Sequence, residues 1–164
     1  MIIREATPDD RDSVQRLYED LCPTEPVAVL PGRIEQIRSD PHSYLFVLET
    51  DGNVQATAFM TVCLDPMFGS QPYAVLENLV VDPSVRGQGV GTTLLQYIER
   101  VCLDLRCSKI MLLTDARRRP AHRFLLGMGY SDVVSKGFKK YLGGHHASAV
   151  RAPDASAGLV MPPE

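Results

Sequence analysis

The chain has 164 residues, of which 45% are hydrophobic and 23% charged, and its formal net charge is −3. These values are typical of one globular domain with its own core. The mildly acidic balance argues against nucleic acid as a partner, because no basic face is evident. No apolar stretch has membrane-spanning length and the N-terminus lacks the pattern of a signal peptide, so we expect a cytoplasmic protein that does not bind membranes.

The first half of the chain predicts two helices and three strands. Thr7-Pro8 is typical of a helix start, with Thr7 as the N-cap and Pro8 at the first helical position. The turn Asp51-Gly52 predicts a hairpin between two strands. The predicted elements in chain order are a strand at 2–4, a helix from Thr7 to about residue 21, a helix at 31–39, and strands at 44–49 and 54–64.

The second half alternates strands and helices. Two unbroken apolar runs predict strands that are buried on both faces and parallel to each other. The helix after the first run carries a wide apolar stripe. The predicted elements are a strand at 74–81, a helix from Val90 to about residue 105, a strand at 110–113, a helix from Pro120 to near Gly129, and a final strand pair at 131–142 turning at Gly137.

The composition changes at residue 143 to Ala, Pro, Gly, Ser and His, which predicts a tail rather than a second domain. His145-His146 has no third ligand nearby, so we expect a polar tail and no metal site. The four cysteines show no C-x-x-C pairing and no metal spacing, and we expect them to be reduced.

The most informative segment is a glycine-rich loop between a strand and a helix. Residues 80–91 read Val-Val-Asp-Pro-Ser-Val-Arg-Gly-Gln-Gly-Val-Gly. Glycines at alternate positions leave the main chain open to close approach. The helix that follows points unpaired N–H groups and its positive dipole end at the same place. The segment therefore predicts a seat for a phosphate or pyrophosphate.

Two common glycine motifs do not fit this loop. The dinucleotide fingerprint G-x-G-x-x-G would start at Gly87, but its third position is Thr92 and residues 82–86 lengthen the turn. The triphosphate P-loop requires Gly-Lys-Ser/Thr, and no lysine is near. A nicotinamide-dependent oxidoreductase is therefore disfavoured.

The spacing Arg86-x-x-Gly89-x-Gly91 resembles the Arg/Gln-x-x-Gly-x-Gly/Ala signature of the GNAT superfamily of acyl-CoA-dependent N-acetyltransferases. The preceding strand, Glu77 to Pro83, strengthens the resemblance. A later helix is similar to the Ala-x-x-Phe-Tyr helix of that family and its Gly-aromatic turn, here 121–125 followed by Gly129-Tyr130. The resemblance covers roughly residues 1–142.

The resemblance implies an α/β domain of the α+β type with the GNAT fold. Its central sheet would be twisted, mixed and mostly antiparallel, with a splayed parallel strand pair and helices on both faces. It implies an acetyltransferase domain over residues 1–142, followed by the tail at 143–164. The cofactor cleft would lie at the splay between the fourth and fifth strands.

Acetyl-CoA is the cosubstrate that the resemblance implies. Main-chain amides of the glycine loop would hold the pyrophosphate, and the strand at 79–81 would pair with the pantetheine arm. Arg118 stands where the family usually has Asn and could contact a phosphate. The implied cofactor-binding residues are Leu79, Val80, Val81, Arg86, Gly87, Gln88, Gly89, Val90, Gly91, Thr92 and Arg118.

Glu77 is the candidate base. It is a lone acid in an apolar strand, and burial would raise its pKa toward a useful value. A strand-end carboxylate that faces solvent or pairs with an arginine is the equal alternative. We expect Asn78 on the opposite face of the strand, as a polar bridge.

The acid that protonates the leaving thiolate is missing from its usual place, because Leu125 replaces the family's Tyr. We expect position 125 to face the cofactor sulfur, since Phe124 and Met128 would occupy the core-facing side. Tyr130 is the remaining catalytic candidate, although a core role fits it equally.

These residues predict N-acetylation of a primary amine on a small molecule or peptide, in a cleft bounded by 24–30, 65–72 and the final strand pair. Asp20, Glu25 and Asp65 would attract a cationic amine or be merely solvated. The alternative is a non-catalytic acyl-CoA-binding or regulatory module. A homodimer is compatible with the sequence, and the acceptor carries no motif.

Overall fold

The computed structural model describes residues 1–142, so the tail with His145 and His146 lies outside the described part. The chain divides into two compact units, Met1–Tyr130 and Ser131–Glu164. The predicted domain boundary at residue 142 stays a prediction. Within residues 1–142, no helix is both long and apolar enough to cross a bilayer.

The first unit contains one sheet of five strands in sequence order. The first four strands pair antiparallel, and the fifth pairs parallel to the fourth. The strands are β1 (Ile2–Glu5), β2 (Ser43–Thr50), β3 (Asn53–Cys63), β4 (Tyr73–Val81) and β5 (Ile110–Leu112). The helices are α1 (Arg11–Leu21), α2 (Pro31–Ser39), α3 (Val90–Asp104) and α4 (Arg119–Gly127).

Helices cover both faces of the sheet, as the resemblance predicted. Apolar side chains of α3 and α4 form one core with the sheet, and those of α1 and α2 form a second core on the other face. Helix residues of the first core include Leu94, Leu95, Ile98 and Leu125. Helix residues of the second core are Val14, Leu17 and Ile34.

The predicted first helix does not begin as an α-helix. Pro8–Asp10 forms a 3-10 turn, and α1 starts at Arg11. The reason lies in Asp10, which is buried, accepts the Thr7 N–H at 2.7 Å and receives both terminal nitrogens of Arg4 at 2.7 and 2.9 Å. This contact ties the start of the helix to β1.

The predicted final strand pair is wrong for the residues that the structure describes. Residues 131–142 contain no strand. Their apolar side chains at Val133, Val134 and Phe138 are exposed. A strand pair is stable only when one of its faces is buried, and here that burial is lacking.

Two ion pairs join α1 to the segment that follows β4. Arg16 pairs with Asp82, and Asp20 pairs with Arg86. Asp82 also accepts the Ser84 hydroxyl at 2.6 Å and the Ser84 N–H at 2.9 Å. These hydrogen bonds from Ser84, with the Arg16 guanidinium, lower the pKa of Asp82 to about 2. The turn that leads into the glycine loop is thus held from two sides.

Leu125 is the buried residue of α4, only 9% exposed, and it belongs to the core shared with α3. The expectation that position 125 faces a cofactor sulfur is therefore wrong. Phe124 and Met128 are only partly buried against the same core. A helix of nine residues that packs over a sheet edge buries a stripe wider than one row of side chains.

We expect Leu125→Ala to lower the free energy of unfolding by about 2–3 kcal/mol, because it removes buried methylene groups and leaves a cavity. The neighbouring Leu126→Ala is the matched control, since Leu126 is 48% exposed and its truncation should cost less than about 1 kcal/mol. Urea unfolding of the two variants measures the difference. Equal losses would place Leu125 outside the core.

We expect Asp82→Asn to destabilise the protein by about 0.5–1 kcal/mol at pH 7, because it removes the charge facing Arg16. A carboxyl whose folded-state pKa is lowered stabilises above its unfolded pKa and loses that contribution as pH falls through the folded pKa. The gap between wild type and variant should therefore shrink from about pH 4 toward about pH 2. Urea unfolding at several pH values measures it, and a constant gap would contradict the assignment.

Candidate functional site

A β-bulge in β4 lies at the centre of the candidate site. Thr57 pairs with Val80 and Phe59 with Glu77, so the single residue Ala58 lies opposite both Asn78 and Leu79. Asn78 has φ +53°, a left-handed conformation that asparagine tolerates better than most residues. The extra residue bends the strand and reverses its inward and outward alternation from this point onward.

The bulge changes the faces on which side chains lie. Before it, Leu76 packs in the core with α3 and α4; after it, Val80 packs in the core with α1 and α2. Leu79 and Val81 pack against the α3 core. The predicted placement of Asn78 on the face opposite Glu77 is wrong, because Glu77 is the strand partner of Phe59, and Phe59 and Asn78 line the same cavity on the α1 and α2 face.

The parallel strands β4 and β5 pair over only three residues. Ala74, Val75 and Leu76 have partners on β5, and no residue of β4 after Leu76 does. The β5-facing edge of 77–81 is therefore unpaired within the described chain, which is the splay that the resemblance implied. One group on this segment is already engaged: the Val81 carbonyl accepts the Arg86 Nε–H at 2.9 Å.

The glycine loop lies after this open edge and contains exposed main chain. Gly87 and Gly89 have φ +77° and +83°, and a side chain added at either would meet open space. Gly91 is different, because a Cβ there would lie 3.2 Å from the Val81 side chain and 3.5 Å from Phe124. Gly87 and Gly89 thus allow a backbone conformation with positive φ, whereas Gly91 allows α3 to pack closely on β4 and α4.

The first turn of α3 presents free amides. The Gly89 carbonyl accepts the Thr93 N–H at 2.9 Å and the Thr93 hydroxyl at 3.0 Å. Of the predicted amides, those of Arg86 and Gln88 donate within the turn, to Pro83 and Val85. The other amides of the loop have no hydrogen-bond partner among residues 1–142. They are the N–H groups of Gly87, Gly89, Val90, Gly91 and Thr92. Such a cluster at a helix N-terminus suits an anion.

The arginine residues around the loop differ in whether they form ion pairs with other residues. Arg86 is held by Asp20, so Asp20 is not free to attract an amine as the sequence suggested. Arg117 binds Asp115 through two hydrogen bonds of 3.0 and 2.7 Å. Arg118 is half-buried and forms no ion pair with residues 1–142. Its contact with a phosphate stays a prediction.

Glu77 is exposed, so of the two alternatives that the sequence left open, the carboxylate facing solvent is the one found. Its neighbourhood is nevertheless distinctive, because Tyr18 and Asn78 lie beside it. Burial raises the pKa of Tyr18 to about 12; the Asn78 side chain opposes this shift and the charge of Glu77 adds to it. Tyr18 therefore stays protonated at neutral pH, able to donate a hydrogen bond.

A cavity of about 620 Å³ opens on the α1 and α2 face of the sheet. Asn78 and Phe59 line it from the sheet, Tyr18 lines it from α1, and the segment 27–30 closes one side. The cavity therefore reaches the bulge. The predicted boundary at 65–72 is not found, since none of those residues lines the cavity.

Tyr130 lies away from this cavity, in the core beside α3. Its hydroxyl is buried without a hydrogen-bond partner in the described chain. Burial raises the pKa of Tyr130, and the nearby charge of Glu99 raises it further. The structure thus brings Glu77, Asn78 and Tyr18 together and leaves Tyr130 elsewhere. Its role as an acid stays a prediction.

Sequence reasoning missed Tyr18, which it assigned only to the apolar stripe of α1. The signal in the sequence was weak, since a tyrosine at a stripe position is usually core. The pairing with Asn78 depends on the bulge, which a β-strand pattern does not reveal.

Three comparisons fit this geometry. A family model described as Acetyltransferase (GNAT) family matches residues 12–130. An aminoalkylphosphonate N-acetyltransferase of Salmonella typhimurium is 29% identical over 130 residues, covering 78% of this chain and 83% of the relative. A protein of Agrobacterium tumefaciens strain C58, provisionally named an acetyltransferase, is 26% identical with TM-score 0.79, covering 86% of this chain and 99% of that one.

A more distant structure shares the fold. The aminoglycoside N-acetyltransferase AAC(6′)-Iy, solved with a CoA-containing bisubstrate analogue, is 22% identical with TM-score 0.71, over 85% of this chain and 97% of that one. The family match spans well over half of the chain and includes both the bulged strand and the glycine loop. This chain belongs to the acetyltransferase (GNAT) family and is an N-acetyltransferase with acetyl-CoA as its cosubstrate.

Proposed function

We propose that this protein acetylates the primary amine of a small-molecule or peptide acceptor, at the bulge in β4. The observation that carries the proposal is that the unpaired edge of β4 and the cavity on the α1 and α2 face both reach residues 77–79. The unpaired edge of β4 leads from this point to the free amides of the glycine loop. The 620 Å³ cavity reaches the same point from the other side, through Asn78.

The cofactor would lie along the splay. The free N–H groups between Gly87 and Thr92 suit the pyrophosphate, because they combine hydrogen-bond donors with the positive end of α3. The main chain of 79–81 would pair with the amides of the pantetheine arm. Arg118 has an uncommitted guanidinium near α4 and would contact a phosphate of the cofactor.

The acceptor ammonium must lose two protons to become an amide, one before its nitrogen attacks and one afterwards. An ammonium has no lone pair, so it must be deprotonated before its nitrogen attacks the thioester carbonyl carbon. Glu77 would take this proton, directly or through water, since it is the carboxylate at the bulge. The carbon–sulfur bond then breaks, and the thiolate of CoA leaves with the electron pair. The nitrogen releases its second proton to water, which balances the proton that the sulfur gains.

The departing thiolate needs less help than an alkoxide would, because a thiol has a pKa of only about 8.5. Leu125 is in the core and has no proton to give. Water reaching the open splay would protonate the sulfur. The Tyr18 hydroxyl, which stays protonated, would donate a hydrogen bond to the acceptor side of the site.

The relatives support an amine acceptor. The Salmonella relative is named for aminoalkylphosphonates, and AAC(6′)-Iy for aminoglycosides. Both names describe amines, although of different charge. The four cysteines are free thiols, which fits a cytoplasmic enzyme. A non-catalytic role is the weaker candidate, since the chain belongs to a family of acetyltransferases.

We expect Gly89→Glu to weaken acetyl-CoA binding by at least about tenfold, or 1.4 kcal/mol, because it places bulk and negative charge at the pyrophosphate seat. Titration calorimetry measures the affinity. Gly52→Glu is the matched control: Gly52 also has positive φ and open space around it, so the variant carries the same backbone strain in a hairpin turn. Similar affinity losses in both variants would contradict the assignment of the glycine loop as the pyrophosphate seat.

We expect Glu77→Gln to lower turnover by about a hundredfold while acetyl-CoA affinity stays unchanged, because the amide keeps the shape and removes the base. Steady-state kinetics with an accepted amine and calorimetry with acetyl-CoA measure the two quantities. Glu5→Gln, at an exposed glutamate of β1, is the control and should leave turnover intact. Unchanged turnover in Glu77→Gln would show that another group accepts the proton.

A further inference from the structure

We propose that the acceptor amine also carries an oxyanion group, a carboxylate or a phosphoryl group, and that Arg33 binds it. The inference rests on the proposed function and names the substrate class of the same site. Arg33 lies on α2 and lines the cavity that reaches the bulge.

Most of the cavity lining is apolar. Its polar side chains are few, and within residues 1–142 only two of the lining residues carry a formal charge, Arg33 and Asp40. An apolar wall with a few placed polar groups is typical of a small-molecule site. The apolar lining residues are Val14, Val27, Ala28, Val29, Leu30, Ile34, Ile37, Leu45 and Phe59.

Asp40 is already used by its own turn. One carboxylate oxygen accepts the His42 N–H at 3.0 Å, and the other accepts the Ser43 hydroxyl at 2.7 Å. These hydrogen bonds lower the pKa of Asp40, so it is ionised at neutral pH. The carboxylate therefore serves the connection between α2 and β2, and it makes no ion pair with Arg33.

Arg33 is an exposed residue of the lining and the one cationic side chain in it. Its guanidinium makes no side-chain hydrogen bond or ion pair with residues 1–142, whereas its neighbours do. Arg11 donates to the Val29 carbonyl at 3.0 Å, and Arg38 pairs with Glu35 at 3.2 Å. A guanidinium offers a planar set of donors that matches a carboxylate or phosphoryl group in two-point contact.

The charges of the site then match both ends of one molecule. Glu77 does not line the cavity, but it lies beside Asn78, the cavity residue at the bulge, where the ammonium of the acceptor would lose its proton. Arg33 provides the opposite charge elsewhere on the same cavity, where a diamine would be repelled. Asp20, expected from the sequence to attract a cation, is paired with Arg86 and does not line the cavity.

The test compares primary amines that share a two-carbon spacer and differ in the second group. β-Alanine ends in a carboxylate, phosphoethanolamine in a phosphate, β-alaninamide in a neutral amide and ethylenediamine in a second amine. We expect kcat/KM with acetyl-CoA to be at least about tenfold higher for the two anionic amines. The ratio between those two identifies the oxyanion that the site prefers.

Substitution at position 33 assigns the preference to the residue. Arg33→Gln should abolish it by raising KM for the anionic amines, with the amide unchanged, and Arg33→Lys should keep part of it. Arg33→Glu should shift the preference toward ethylenediamine. Arg38→Gln, on the same helix but outside the cavity lining, is the matched control and should keep the wild-type preference.

Two results would overturn the inference alone: equal use of all four amines by the wild type, or an unchanged preference in Arg33→Gln. Failure to acetylate any primary amine in a broader panel would instead overturn the proposed function and this inference with it. The two failures are therefore distinguishable.

Discussion

The candidate site depends on one extra residue in β4. A strand has a side-chain period of two, so the insertion at Asn78 and Leu79 moves every later side chain to the other face. Val80 can then pack against α1 and α2, although Leu76 packs against α3. The same distortion coincides with the end of pairing to β5. An open backbone edge on one side and a cavity on the other thus meet within three residues.

The two halves of the site are also mechanically connected. Helix α1 contributes Tyr18 to the cavity, and two residues of the same helix, Arg16 and Asp20, pair with Asp82 and Arg86 beside the glycine loop. A shift of α1 would therefore affect the proposed acceptor wall and the proposed cofactor seat together. The pairs are partly exposed, so each contributes modestly to stability, and their main effect is to fix geometry.

The glycine loop illustrates how one motif combines separate requirements. Gly87 and Gly89 adopt left-handed conformations that aim the main chain, whereas Gly91 removes a clash with Val81 and Phe124. The amides of Arg86 and Gln88 stabilise the turn itself. Only the remaining amides are free, so one part of the motif stabilises the turn and the other part is the proposed binding surface.

The sequence by itself determined the elements of residues 1–130 and their order, and it predicted a phosphate seat at the glycine loop. Hydrophobic periodicity identified α2, an unbroken apolar run identified β4, and the glycine spacing identified the loop, because these signals are local in the chain. The tertiary structure decided the rest. The bulge, the burial of Leu125, the exposure of Glu77 and the grouping of Tyr18 with Asn78 depend on which surfaces meet. Residues 131–142 were predicted to form a strand pair, but their apolar side chains have no buried face and no strand forms there. Local propensity specifies how a segment folds, but side-chain environment is set by contacts distant in sequence, and the chemistry of this site depends on those contacts.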